Sequence, residues 1–208
     1  MNAELQLVPI RSKAVWGGRI RVAARVAAAL LLLPLTSCSE AMRTGQSPSY
    51  LIINTLTAAP GGTTNFGATL QSDVITNTGG IFADQGQVTL QVAQKDPQGP
   101  APTTANSITI TQYHVDYIRT DGRNTPGVDV PFAFDGAVTA TFPPQGSVTF
   151  TIVRIQAKEE APLKALANSG GANAITAIAR VTFYGHDQNG REVSVTGNIA
   201  ITFSDWAG

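Results

Sequence analysis

Among its 208 residues the chain has one cysteine, two histidines, two methionines and two tryptophans, and only 13% of it is charged. A single cysteine excludes an intrachain disulfide, so packing alone has to hold whatever folds. Two histidines and one thiol fall short of the three or four convergent ligands of a zinc centre unless carboxylates complete the set. Gly61-Gly62 and Gly79-Gly80 are followed by neither a Lys-Ser/Thr pair nor a helix, which argues against a phosphate-cradling loop. Asp84, Asp121, Asp129, Asp135 and Asp187 lie in or beside turn-rich segments, but without EF-hand spacing, and aspartate is a common turn former. Neither a metal nor a cofactor is therefore expected. Long apolar runs are missing too. Residues 26–35, interrupted by Pro34, give roughly 15 Å of helix against the roughly 30 Å of a hydrocarbon core.

That short run belongs to a leader. Arg11, Lys13, Arg19, Arg21 and Arg25 precede it against one acid, Glu4, and Leu35-Thr36-Ser37-Cys38 closes it. A basic region, a short apolar core and small residues at the end describe an export signal rather than a fold. The four closing residues resemble the lipobox of a bacterial lipoprotein precursor. The resemblance implies a signal peptide over 1–37, recognition by the peptidase through Leu35, Thr36 and Ser37, and acylation of Cys38. Several acyl chains at about 0.8 kcal/mol per buried CH₂ anchor a protein without a spanning helix. Ser39 stands where an aspartate would signal inner-membrane retention, so the resemblance implies the outer membrane. Lipidation would also account for an odd cysteine in an exported chain.

Without the leader, nine basic residues face thirteen acidic ones, a net charge of about −4. The remaining cations are scattered, which disfavours nucleic acid as a partner. Residues 38–49, CSEAMRTGQSPS, are polar and aperiodic, as in a flexible tether, and a single domain is expected over 50–208.

Within that domain the clearest signal is alternation. Ile175, Ala177, Ala179, Val181 and Phe183 share one face of a strand. Val193, Val195, Ile199, Ile201 and Phe203 share one face of the next. Between them, residues 186–190 end in Asn189-Gly190, which suits a tight hairpin turn with positive φ. Weaker alternation marks 50–57, 68–76, 87–93, 108–119, 137–142 and 147–156, with Gly and Pro at most junctions. Residues 159–167 alone read as a helix, with Pro162 in its first turn. Tyr113, Val115 and Tyr117 are expected in the core, leaving His114 and Asp116 together on the opposite face as a surface pair. Trp206 either caps the open end or anchors a partner.

Seven or eight strands with one short helix indicate an all-β antiparallel sandwich. Their order resembles an immunoglobulin-like or fibronectin-III-like domain, although no cysteine pair or central tryptophan of true immunoglobulin domains can be placed. That topology would put 95–106, 143–146 and 186–190 at the tethered end, and 120–134 and 158–171 at the far end. The 120–134 segment is similar to a stretch of uncharacterised bacterial lipoproteins, a likeness that carries no known activity. It is longer than most connections, and Arg119, Asp121, Arg123 and Asp129 are expected to form a charge network there, the candidate binding loop. The expected role is a non-catalytic binding, adhesion or assembly module contacting an envelope protein or polysaccharide. The alternatives are a structural accessory subunit, or an enzyme acting on envelope polysaccharide. The last requires two carboxylates roughly 5–10 Å apart in a groove.

Overall fold

The computed structural model describes residues 47–206. The leader, the lipobox residues Leu35, Thr36, Ser37 and Cys38, and most of the expected tether lie outside them. Among the described residues there are eight strands: β1 (Ser49–Ala59), β2 (Thr69–Asp73), β3 (Asp84–Gln94), β4 (Ile108–Ile118), β5 (Phe134–Phe142), β6 (Gln145–Val153), β7 (Ala174–Asp187) and β8 (Glu192–Ser204). They form a three-stranded sheet, β1-β3-β6, and a five-stranded sheet, β2-β8-β7-β4-β5. The fold is thus an all-β sandwich of two sheets. One pairing departs from the antiparallel expectation: β2 runs parallel to β8, from Thr69 opposite Ala200 to Asp73 opposite Ser204.

The alternation places the core. Leu51, Val88, Leu90, Val92, Phe150 and Ile152 from the smaller sheet meet Ile108, Ile110, Val115, Ala179, Val181, Phe183, Ile201 and Phe203 from the larger, all buried. Tyr113, Phe150 and Phe183 stack edge-on at its centre, with ring centroids 5.1 Å apart for Tyr113–Phe150 and for Phe150–Phe183. Such edge contacts suit the ring quadrupoles. The Tyr117 hydroxyl crosses the sandwich and donates to the Ile152 carbonyl at 2.7 Å, tying the sheets together where both partners are dry.

Two boundaries differ from expectation. Ser49 already opens β1 and Ser47 is buried, so the fold begins inside the segment read as tether. Helix α1 spans Ile155–Glu159, and a separate 3₁₀ turn spans Leu163–Leu166. Pro162, preceded by a cis bond to Ala161, separates them instead of lying in one helix. Proline has no N–H to donate, and its ring pushes the preceding residue out of the α region. Among the described residues no helix is long and apolar enough to cross a membrane.

Strand register fixes the two ends. Ser49 lies opposite Gln94, and Ile108 opposite Asp187. The connections after β3, β5 and β7 therefore lie at the end where Ser47 enters. Ile118 lies opposite Ile178, and Ala174 opposite Ser204, which puts the connections after β4 and β6 at the other end, as expected.

Candidate functional site

At the end away from Ser47, Arg119 grips Asp121 through Nε at 3.0 Å and Nη2 at 2.5 Å, and Arg123 adds a contact through Nε at 3.1 Å. The Arg119 side chain beside it holds the Asp121 carboxyl well below the usual carboxylate range. Asp129 makes no ion pair in this group, although its charge acts on Arg119. It accepts the Thr125 N–H at 3.2 Å and caps a compact turn in which Asp129 N–H donates to the Thr125 carbonyl at 2.8 Å. A carboxylate four residues along a tight loop reaches the nearest unsatisfied backbone donor before it reaches a cation. Gly127 takes φ +75° at that turn, and a Cβ there would strike the Phe132 ring. Buried Val130 anchors the loop.

The same end carries most of the exposed bulk. Val128 is 67% exposed and Phe132 50%, and Phe82, Ile155 and Trp206 are exposed as well. Five of the eight exposed large apolar side chains among the described residues thus lie at one end; Tyr50, Ile52 and Tyr184 lie elsewhere.

Beneath this rim are polar clamps that sequence reasoning missed. Asp84, fully buried at the start of β3, accepts the Gly61 N–H at 2.7 Å, the Ser72 hydroxyl at 2.5 Å and Lys158 Nζ at 2.7 Å. Lys158, equally buried in α1, also donates to the Asp73 carbonyl at 2.8 Å. Burial pushes the Asp84 carboxyl up, and Lys158 opposes it. Asp205 holds the segment after the 3₁₀ turn: its carboxylate accepts the Asn168 N–H at 2.5 Å and its backbone carbonyl accepts the Gly171 N–H at 2.6 Å. Trp206 N–H donates to Asp73 at 3.2 Å, and the Trp206 ring edge lies over Gly171. The tryptophan therefore rests on the far end with part of its ring in solvent.

The five aspartates of the turn-rich segments are dispersed into separate structural tasks. Asp84 and Asp121 are ion-paired, Asp129 caps its loop, and Asp135 accepts from His114 Nδ1 at 2.8 Å. Asp187 accepts the Asn189 N–H at 2.8 Å and the Arg191 N–H at 2.9 Å. Of that hairpin, Gly190 takes the positive φ, at +77°, and Asn189 does not. Among the described residues no three His, Cys, Asp or Glu side chains come together as a metal site. The expected His114–Asp116 pair does not form: Asp116 pairs with Arg180 across the strands, at 3.1 Å through Nε. Residues two apart on a strand are about 6.7 Å from each other, whereas cross-strand neighbours are about 5 Å apart.

The outer face of the five-stranded sheet holds a groove of about 890 Å³ that includes Gln112, Asp135, Tyr184, His186, Glu192 and Ser194. Its two acids belong to β5 and β8, three strand spacings apart. At about 4.8 Å per spacing that is about 14 Å across the sheet, outside the separation used in glycoside hydrolysis.

No family model and no curated protein matches the chain. Among solved structures, it is similar to the X-ray structure of Northeast Structural Genomics Consortium target SoR45, with a TM-score of 0.32 and 10% identity over 76% of this chain and 86% of that one.

Proposed function

We propose that the chain is a bacterial envelope lipoprotein, anchored to the outer membrane through Cys38, whose sandwich is a non-catalytic binding, adhesion or assembly module. The observation that carries this reading is the rim of exposed apolar side chains at the end opposite the entering chain. Loops on a rigid scaffold are where binding residues collect, and these side chains are all carried at one end of the scaffold. The Asp84–Lys158 and Asp205–Asn168 clamps hold the segments around Lys158 and Asn168, and the Asp129–Thr125 turn with buried Val130 holds the loop of Val128 and Phe132, so little ordering remains to be done on binding. A tether joined at Ser47 would leave that rim directed away from its anchor. The separation of Asp135 from Glu192 favours this reading over the polysaccharide-hydrolysing alternative.

A photo-crosslinking amino acid placed at Val128, Phe132 or Trp206 in living cells should give the same discrete adduct from each position, and none from Thr196 on the outer sheet face. Equal labelling from all four would overturn the reading. On the same cells, intact mass should fit residues 38–208 plus acyl chains, and Cys38→Ala should lose them.

A further inference from the structure

We propose that the groove on the outer face of the five-stranded sheet binds a neutral oligosaccharide. This does not rest on the far-end rim, from which the groove is separate in both residues and chemistry.

The groove lies where β4 is irregular between Ile110 and Gln112, shifting its register against both β5 and β7. A bulge bends its strand and re-aims the side chains around it. Gly185 on β7 lies so close to the bulged strand that a Cβ there would come within 2.8 Å of Ile110 Cα. Any side chain at that position would push the strands apart, so bare backbone forms this part of the wall.

Register then sets the chemistry in rows. Gln112 lies opposite Tyr184, and Tyr184 opposite Ser194, so the exposed tyrosine ring has an amide on one side and a hydroxyl on the other. Neighbouring strands are about 4.8 Å apart, close to the width of a pyranose ring. His186 and Glu192 form the next row, two residues further along. A sugar whose C–H face rests on Tyr184 would thus meet an amide that donates and accepts, a hydroxyl that does both, and a carboxylate that accepts from sugar hydroxyls.

The same lining rejects other classes. It contains no lysine or arginine among the described residues, so a phosphate, a sulfate or an acidic sugar would face carboxylates without a counter-charge. A cationic peptide would need both acids, and Asp135 is already held by His114. The volume falls in the range of roughly 300–1,000 Å³ usual for small-ligand sites.

The test is calorimetric titration of the full chain in mild detergent with cellohexaose, maltohexaose and chitohexaose, and with trilysine as the cationic competitor. At least one hexasaccharide should bind, and Tyr184→Ala should weaken it by about tenfold or more, a loss of about 1.4 kcal/mol. Tyr184→Phe should retain binding, because the ring face makes the contact. Ser194→Trp, which keeps the tyrosine at 184 but fills the groove beside its ring, should abolish it, and Tyr50→Ala, at an exposed tyrosine of the smaller sheet, should leave it unchanged. Absence of binding by all three sugars, binding that survives Ser194→Trp, or a preference for trilysine would each overturn the proposal.

Discussion

Replacing Lys158 by methionine would leave the Asp84 carboxylate buried without its counter-ion, and the cost can be worked from the geometry. The two charges are 2.7 Å apart with side chains 1% and 0% exposed. At an effective dielectric of about 20, charges at that distance attract by about 6 kcal/mol. Much of this only offsets desolvation, and removing one partner of a buried pair typically costs about 3–5 kcal/mol. With a urea slope of about 2 kcal/mol/M, the unfolding midpoint of Lys158→Met should fall by about 1.5–2.5 M. The double variant Asp84→Asn/Lys158→Met should recover a large part of that loss, because it removes the orphaned charge while the asparagine still accepts the Gly61 N–H. The single variant should also respond to pH in one direction. With only the Ser72 hydroxyl and the Gly61 N–H left to oppose burial, the folded-state value of Asp84 rises further above its unfolded value, so the deficit is small below about pH 4 and grows as pH rises. A Lys158→Met midpoint within about 0.5 M of wild type would refute the reasoning, since the pair would then be no stronger than a surface ion pair.

Tyr117→Phe removes the hydroxyl that reaches Ile152 and leaves a buried carbonyl without its donor. Stability measured by urea unfolding should drop by about 1–3 kcal/mol, and an unchanged midpoint would mean that this tie between the sheets contributes nothing. Asp187 tests the hairpin end through pH. Burial raises its carboxyl, but the Arg191 and Asn189 N–H groups and the Ser47 hydroxyl outweigh it and leave it below its ordinary value. A depressed value stabilises the fold above the unfolded-state range near 4 and is lost as pH falls through it. The thermal midpoint of wild type should thus exceed that of Asp187→Asn at neutral pH, with the gap narrowing as pH falls below about 4. A constant difference across that range would count against the capping role.

The legibility of the chain follows the range of the interactions involved. Period-two alternation in β7 and β8 is a local property, and it identified Val181, Phe183, Ile199, Ile201 and Phe203 as core before any pairing was known. The Asp84–Lys158 clamp joins residues 74 positions apart, and in sequence Asp84 is one more aspartate beside a turn. Nothing local marks either residue as buried. Same-face reasoning put His114 with Asp116, yet the partners each of them takes come from neighbouring strands, and strand order is not written in any single strand. Pro162 was visible, but its effect depended on whether α1 began before it, at Ile155, or with it. In the candidate loop, Arg119, Asp121 and Arg123 lie within five residues and their convergence could be read locally. The apolar rim could not be read that way, because it gathers Phe82, Val128, Phe132, Ile155 and Trp206 from three separate connections and the segment after β8.

Ser47 and Trp206 lie at opposite ends of the sandwich, with the strands running between them. Tension between whatever precedes the first and follows the second would therefore act along the strand axes. Inter-strand hydrogen bonds stand perpendicular to that direction in antiparallel pairs, so β1 against β3 would be loaded in shear, with many bonds sharing the force at once. Parallel β2 would brace β8 in the same way over its five paired positions. Pulled from its ends, such a body resists as a lap joint does, and its topology makes it mechanically stiff along one axis.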